Sequence, residues 1–290
     1  ATGPFTLVIG RDTTSYLQPL LDEWNRTHPR VQVRSRAVRF VDLLTTAMVQ
    51  QTAGQGADIL HPYALWTGQL AAAGVLRPAP PEVARRIRAT FSPAAVQAVT
   101  VDGEIYGYPT EVQTYALYYN RRLLREAGVA RPPRTWPELE EAALTTARRD
   151  RHGNTRVQGF GLSQVEDATV VGQTLALLAA RGGRFLTPDG HGTAIDSAAG
   201  RAVLDLEQRL IDQGAADPAV NLLSAFPAGQ VALCVSAGWW TGSLKVSMGE
   251  RYREVGVAPV PGPHGTGRGT LATAFLLGVN ADSPHPDEAW

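Results

Sequence analysis

The sequence predicts an α/β protein built as two lobes, on three observations. A chain of 290 residues is longer than one hydrophobic core comfortably holds. From the first residues onward, short runs of strand character alternate with segments of helical period, the pattern of a mostly parallel sheet covered on both faces. The hydrophobic fraction of 44% is ordinary for a globular chain, and no run approaches the roughly 18 apolar residues that span a membrane.

Each element follows in order. FTLVIG (5–10) reads as a strand. In TTSYLQPLLDEWNRTHP, Leu17, Leu20, Leu21 and Trp24 recur at helical spacing, and His28-Pro29 ends the pattern. VQVRSRAV (31–38) alternates as a second strand, so the chain opens β-α-β. A helix follows in FVDLLTTAMVQQTA, then a brief strand ADIL, then the loop HPY leading into ALWTGQLAAAG, where Gly74 suits a helix C-cap. After RPAPPE and two short helices comes VDGEIYG, in which Asp102-Gly103 supplies a tight hairpin turn.

The strand TYALYYN (114–120) is aromatic on both faces, with Tyr115, Leu117 and Tyr119 pointing one way and Tyr118 the other. Asn120 can cap RRLLREAG, and Thr135-Trp136-Pro137-Glu138 has capping-box spacing at the start of another helix. GFGL is a strand; TVVGQTLALLAARGG and SAAGRAVLDLEQRLIDQG are helices that stop at Gly182 and Gly214. AFPAGQVALCVSAGWW gives a short helix, a turn at Gly229 and a buried strand ending in two tryptophans. EVGVAPVPGP and TLATAFLLGVN are later strands, joined by the glycine-rich HGTGRGT.

Charge and chemistry exclude more than they select. Lysine plus arginine equals aspartate plus glutamate at 27 each, so no excess charge is available to neutralise phosphates, and nucleic acid is not an expected partner. Cys234, the single cysteine, lies in the apolar run VALCV as a structural thiol. The first ten residues lack the basic start and apolar core of a signal peptide. Ser236 has Cys234, not glycine, two residues before it, so no nucleophile elbow exists. There is no phosphate-binding GxxxxGK loop, and the six histidines show no zinc spacing. No catalytic residue, metal or cofactor is expected. Aromatic residues instead gather where strands end, the place where open α/β sheets bind ligands.

DGEIYGYPTEVQTYALYYNRRLLREAGVARPPRTWPELEEA resembles the central signature of the extracellular solute-binding proteins of ABC importers, the carbohydrate-binding branch that includes maltodextrin-binding proteins. The DG hairpin, the YGxP step, a crossing strand ending in YN, and PPxTW before an acidic helix all occur in that order. GQGADIL, FPAGQVALCVSAGWW, VGVAPVPGP and SPHPDEAW extend the likeness over the whole chain. The resemblance implies the type II periplasmic-binding-protein fold, two α/β lobes joined by crossing hinge strands with a ligand cleft between them. It places the N-terminal lobe at 1–111 plus 262–290 and the C-terminal lobe at 112–261, the family's usual C-terminal helices being missing from this sequence after residue 290. The stretch holding five of the eight tyrosines would then be the first crossing.

By the same likeness the protein captures a sugar, from mono- to oligosaccharide, and passes it to membrane permease subunits. It acts as a monomer outside the cytoplasm, a lipid anchor on a removed leader being one form this would take. Trp239, in the family's Gly-Trp position, would stack on a sugar ring, flanked by Gly238 and Trp240; the alternative is core packing. Gln113, Tyr115 and Glu111 stand in the crossing strand. His61, Tyr63 and Trp66 follow ADIL, although Pro62 and Leu65 break the maltodextrin pattern there. Arg11, Asp12 and Thr13 follow the first strand, either as ligand contacts or as a helix cap. Ser163 and Asp167 follow GFGL, and Arg268 lies in the glycine-rich loop. Two rival readings stay open: the same fold with a phosphorylated polyol, polyamine or anion, and a carbohydrate-active enzyme built on paired carboxylates.

Overall fold

The computed structural model describes residues 4–11, 14–162, 167–187 and 192–290, with the backbone alone for 14–15 and 167–170. The chain divides into two compact units, Ala1–Val112 with Ala272–Trp290, and Gln113–Leu271. Among the described residues no helix is long and apolar enough to cross a membrane.

The first unit begins β1 (Phe5–Gly10), α1 (Thr14–Thr27), β2 (Val33–Val38), α2 (Phe40–Thr52) and β3 (Ile59–Leu60). β1 pairs in parallel with β2, Phe5 opposite Val33, and with β3, Leu7 opposite Ile59. Its near-continuous apolar run suits a strand covered on both faces, and Phe5, Leu7, Val8 and Ile9 are all buried. β2 lies at the end of the sheet and turns Arg34 and Arg36 to solvent, charges that discourage further strand pairing. In α1 the apolar stripe is narrower than its spacing predicts. Leu17 is buried, but Leu20 is exposed because the sheet beneath covers only one line of the helix.

Three short helices follow, α3 (Thr67–Ala72), α4 (Pro81–Thr90) and α5 (Pro93–Ala98), then the hairpin strands β4 (Thr100–Val101) and β5 (Glu104–Ile105). Asp102 and Gly103 both take positive φ, 50° and 81°, the backbone that a two-residue hairpin turn requires. β6 (Tyr108–Asn120) then runs out of the first unit into the second, the boundary falling after Val112.

The second unit holds α6 (Arg121–Glu126), α7 (Trp136–Thr146), β7 (Arg148–Arg149), β8 (Thr155–Phe160), α8 (Asp167–Ala180), α9 (Ala198–Asp212), α10 (Leu222–Ala225), β9 (Val231–Ala237), α11 (Trp240–Met248) and β10 (Val255–Ala258). Asn120 and Thr135 cap α6 and α7 as their spacing predicts, accepting from Leu123 N and Glu138 N. The strand order is β10-β6-β9-β8-β7. β9 is buried along its whole length, antiparallel to β6 and parallel to β8. Cys234 at its centre is fully buried, and desolvation pushes its thiol far above the usual range. Tyr118 and Tyr119 flank this core as buried rings.

The chain returns through β11 (Ala272–Val279), which pairs antiparallel with β3, and ends in α12 (Pro286–Ala289). The return begins at Ala272, whereas the resemblance put it at 262. The glycine-rich segment explains the difference, because it is bonded to the second unit. Gly267 N donates to Val260 O at 2.9 Å, Arg268 N to Ala180 O at 2.9 Å, and Tyr115 N to Leu271 O at 3.0 Å.

Candidate functional site

β9 ends at Ala237, opposite Tyr115 of β6. Past that pair the two strands remain tied, with Gly238 N donating to Thr114 O at 3.1 Å and Trp239 N donating to Gln113 Oε1 at 3.2 Å. Thr241 N then closes a turn on Gly238 O at 3.2 Å. The result is a backbone held on both sides with the indole of Trp239 left 46% exposed. The Nε2 of Gln113 donates to no described residue, while its oxygen positions Trp239. Gln113, Gly238 and Trp239, separate in sequence, thus meet in one place.

The neighbouring residues take different roles. Trp240 is 3% exposed, its ring packed on Tyr118 and Phe226 at centroid distances of 5.7 and 5.1 Å. The expectation of a second stacking tryptophan is therefore corrected: one step along the chain turns the side chain inward, and α11 starts by burying it. Tyr115 is also buried, with its ring over Gly172 of α8, where any Cβ would collide with it. Its carbonyl accepts from Thr270 Oγ1 at 2.8 Å. It supports the β6 edge from within the core.

In the first unit, the residues after β3 form an aromatic nest. Tyr63 is buried and contacts Phe40 at 5.9 Å, Trp66 at 5.7 Å and Phe275 at 5.3 Å, while half-buried Trp66 stacks on Phe40 at 5.2 Å. His61, expected as a loop residue in reach of ligand, is fully buried, because β3 and β11 enclose it. Its Nε2 lies 2.7 Å from Thr110 Oγ1 and its ring stacks on Phe275 at 5.2 Å. Nδ1 has no partner, and burial lowers the imidazole pKa to about 4, keeping it neutral. Phe40 and Phe275 were not foreseen, since no spacing links segments so far apart.

Glu111, in β6, has φ 46°, a left-handed backbone unusual for a non-glycine residue. Its Oε1 is buried without a hydrogen-bond partner, and desolvation raises its pKa to about 7. Arg11 is exposed after β1. Asp12, Thr13 and Ser163 lie outside the described residues, as does the side chain of Asp167. Arg268 is exposed and lines a cavity of about 470 Å³ in the second unit, together with Arg181 and His264. Among the described residues no group of acidic, histidine and cysteine side chains could hold a metal ion.

A Brucella abortus (strain 2308) protein named as a binding protein is 25% identical over 286 residues, 96% of this chain and 67% of its own length. A maltotriose-binding protein of Pyrococcus abyssi is 31% identical over 124 residues, 43% of this chain and 26% of its own. The GacH receptor of Streptomyces glaucescens, solved unliganded and with acarbose, superposes with a TM-score of 0.80 at 24% identity, covering 100% of this chain and 74% of that one. That likeness establishes the fold, two α/β lobes of the periplasmic-binding type. The family model for the bacterial extracellular solute-binding proteins matches residues 10–290, and the chain belongs to that family.

Proposed function

We propose that this protein captures a carbohydrate outside the cytoplasmic membrane and delivers it unaltered to the permease subunits of an ABC importer. The observation that carries the reading is Trp239: an open indole at the end of a buried strand, its backbone fixed by Gln113 and Thr114. A pyranose presents an apolar face of C–H groups that an indole covers, while its hydroxyls need polar partners at the rim. Gln113 Nε2 is one such donor. Relatives named or solved with oligosaccharide ligands, the maltotriose-binding protein and the acarbose-bound GacH receptor, support the sugar class.

On this reading Trp239, Gln113 and Gly238 form the stacking platform, Arg11 and Glu111 are further candidate contacts, and the protein works as a monomer without turnover. Membership of a family of binding proteins fits capture better than catalysis. The test is a thermal-unfolding and calorimetric screen against mono- to oligosaccharides. A true ligand at a hundred times its Kd adds about 2.7 kcal/mol of stability, and chromatography of the released sugar should return it unchanged. No saturable binding across the panel, or a cleaved product, would overturn the reading.

A further inference from the structure

The cavity beside Arg268 belongs to neither the Trp239 platform nor the aromatic nest. It is built wholly within the second unit, from the end of α8 (Ala180, Arg181, Gly182), the first turn of α9 (Ala198, Ala199) and the glycine-rich loop from Gly262 to Arg268. Its volume of about 470 Å³ falls in the range of small-molecule sites, roughly 300–1,000 Å³.

The walls are rigid for reasons visible in the sequence. Gly267 lies so close to α8 that a Cβ there would come within 2.6 Å of both Ala180 Cβ and Val260 O. Only glycine permits this approach. The loop is then pinned, Gly262 N donating to Gly265 O at 2.8 Å and Arg268 N to Ala180 O at 2.9 Å. A loop held this way presents a fixed concave surface.

The charge of that surface is one-sided. Arg181, Arg268 and His264 line it, and no carboxylate does among the described residues. Neither guanidinium has an ion-pair partner among the described residues, whereas Arg209 pairs with Glu140 and Arg122 with Glu126. Part of their placement is explained without a ligand, because cations are favoured at the C-terminal end of a helix such as α8. Arg181 is further held by the ring of Trp136, 5.8 Å from its guanidinium carbon. That contact uses the face of the guanidinium and leaves its N–H edge for another acceptor. Across the cavity, the first residues of α9 add backbone N–H groups of the kind a helix start leaves without an internal acceptor. The helix start alone would select nothing; two guanidiniums in the same lining, without an ion-pair partner among the described residues, favour a tetrahedral or planar oxyanion, the shape their fork geometry matches.

We propose that this cavity is a binding site for a small oxyanion, either free phosphate or sulfate or such a group on a compact solute, gripped by Arg268 and Arg181. The inference does not depend on the sugar reading. The test is isothermal calorimetry and thermal unfolding of the whole chain with sodium phosphate, sodium sulfate and glycerol phosphate, against sodium chloride at matched ionic strength. Saturable binding is expected, weakened at least tenfold in Arg268→Ala. Ala198→Glu gives a second, independent check: an acidic residue is favourable in a first helical turn, so the fold is kept, yet it sets a carboxylate at the cavity wall. It should weaken binding by a similar factor. Tighter binding of glycerol phosphate than of phosphate would assign the site to phosphorylated solutes, and equal binding to the free ion. A response that never saturates, that both variants leave intact, or that disappears in Trp239→Ala would overturn the assignment.

Discussion

The aromatic nest of the first unit and the tryptophan platform of the second use the same residue types to opposite ends. Around Tyr63, rings from Phe40, Trp66 and Phe275 satisfy one another and leave little for a guest. At Trp239 the backbone is tied down by Gln113 and Thr114 while the ring has no aromatic neighbour among the described residues. Aromatic content therefore does not mark a ligand face by itself. On the proposed reading a fixed backbone beneath an unpacked ring does, because stacking then needs no further ordering of the protein.

The comparison can be broken most directly at the paired tryptophans. Trp240→Ala empties the space between Tyr118 and Phe226 and should cost about 3–5 kcal/mol in urea unfolding. Trp239→Ala should move stability by less than about 1 kcal/mol while weakening sugar binding roughly tenfold or more. Similar stability losses in both would mean that Trp239 is also a packing residue. Next in size is the acid response of the nest. Unfolded, His61 takes up a proton near its ordinary 6.5; folded, it resists until about 4. The unfolded chain thus binds more protons between these values, so the stabilisation is fully present above pH 6.5 and is lost as pH falls towards 4. The loss amounts to about 3 kcal/mol, and His61→Gln should flatten that part of the unfolding profile.

Smaller effects sharpen the platform. Gln113→Ala removes the acceptor for Trp239 N and should weaken sugar binding about fivefold to tenfold, near 1 kcal/mol, with the unfolding midpoint almost unchanged. Glu111→Gln has an effect that depends on pH. The carboxyl protonates at about 7 when folded against 4.5 in its ordinary state, so the folded chain holds the extra proton and Glu111 lowers stability as pH rises through that window. The amide variant should be more stable than the parent at pH 8 and equal to it near pH 4. An advantage of the same size at both pH values would point to backbone relief at its positive φ instead.

Much of the frame was legible because it is local. The opening β-α-β, the Asp102-Gly103 turn, and the caps at Asn120 and Thr135 each rest on residues a few positions apart. The proposed stacking role of Trp239 came from resemblance, and its backbone bond to Gln113 Oε1 shows how that position is anchored. What escaped the sequence depends on distant partners. His61 is buried through Thr110, 49 residues away, and through Phe275 on the return strand. The inward turn of Trp240 depends on Phe226 and Tyr118. The glycines of 262–269 announced a loop, but not that Ala180 would hold it in the second unit. The strain at Glu111 had no signature, since nothing in its neighbours demands a left-handed backbone.

The sealed position of Cys234 has a practical corollary. With its only sulfhydryl enclosed in a strand that never meets solvent, the native chain is inert to maleimides. A cysteine introduced at Val246, where 86% of the residue is open, would be the single attachment point in this chain for a fluorophore, with no background labelling to subtract.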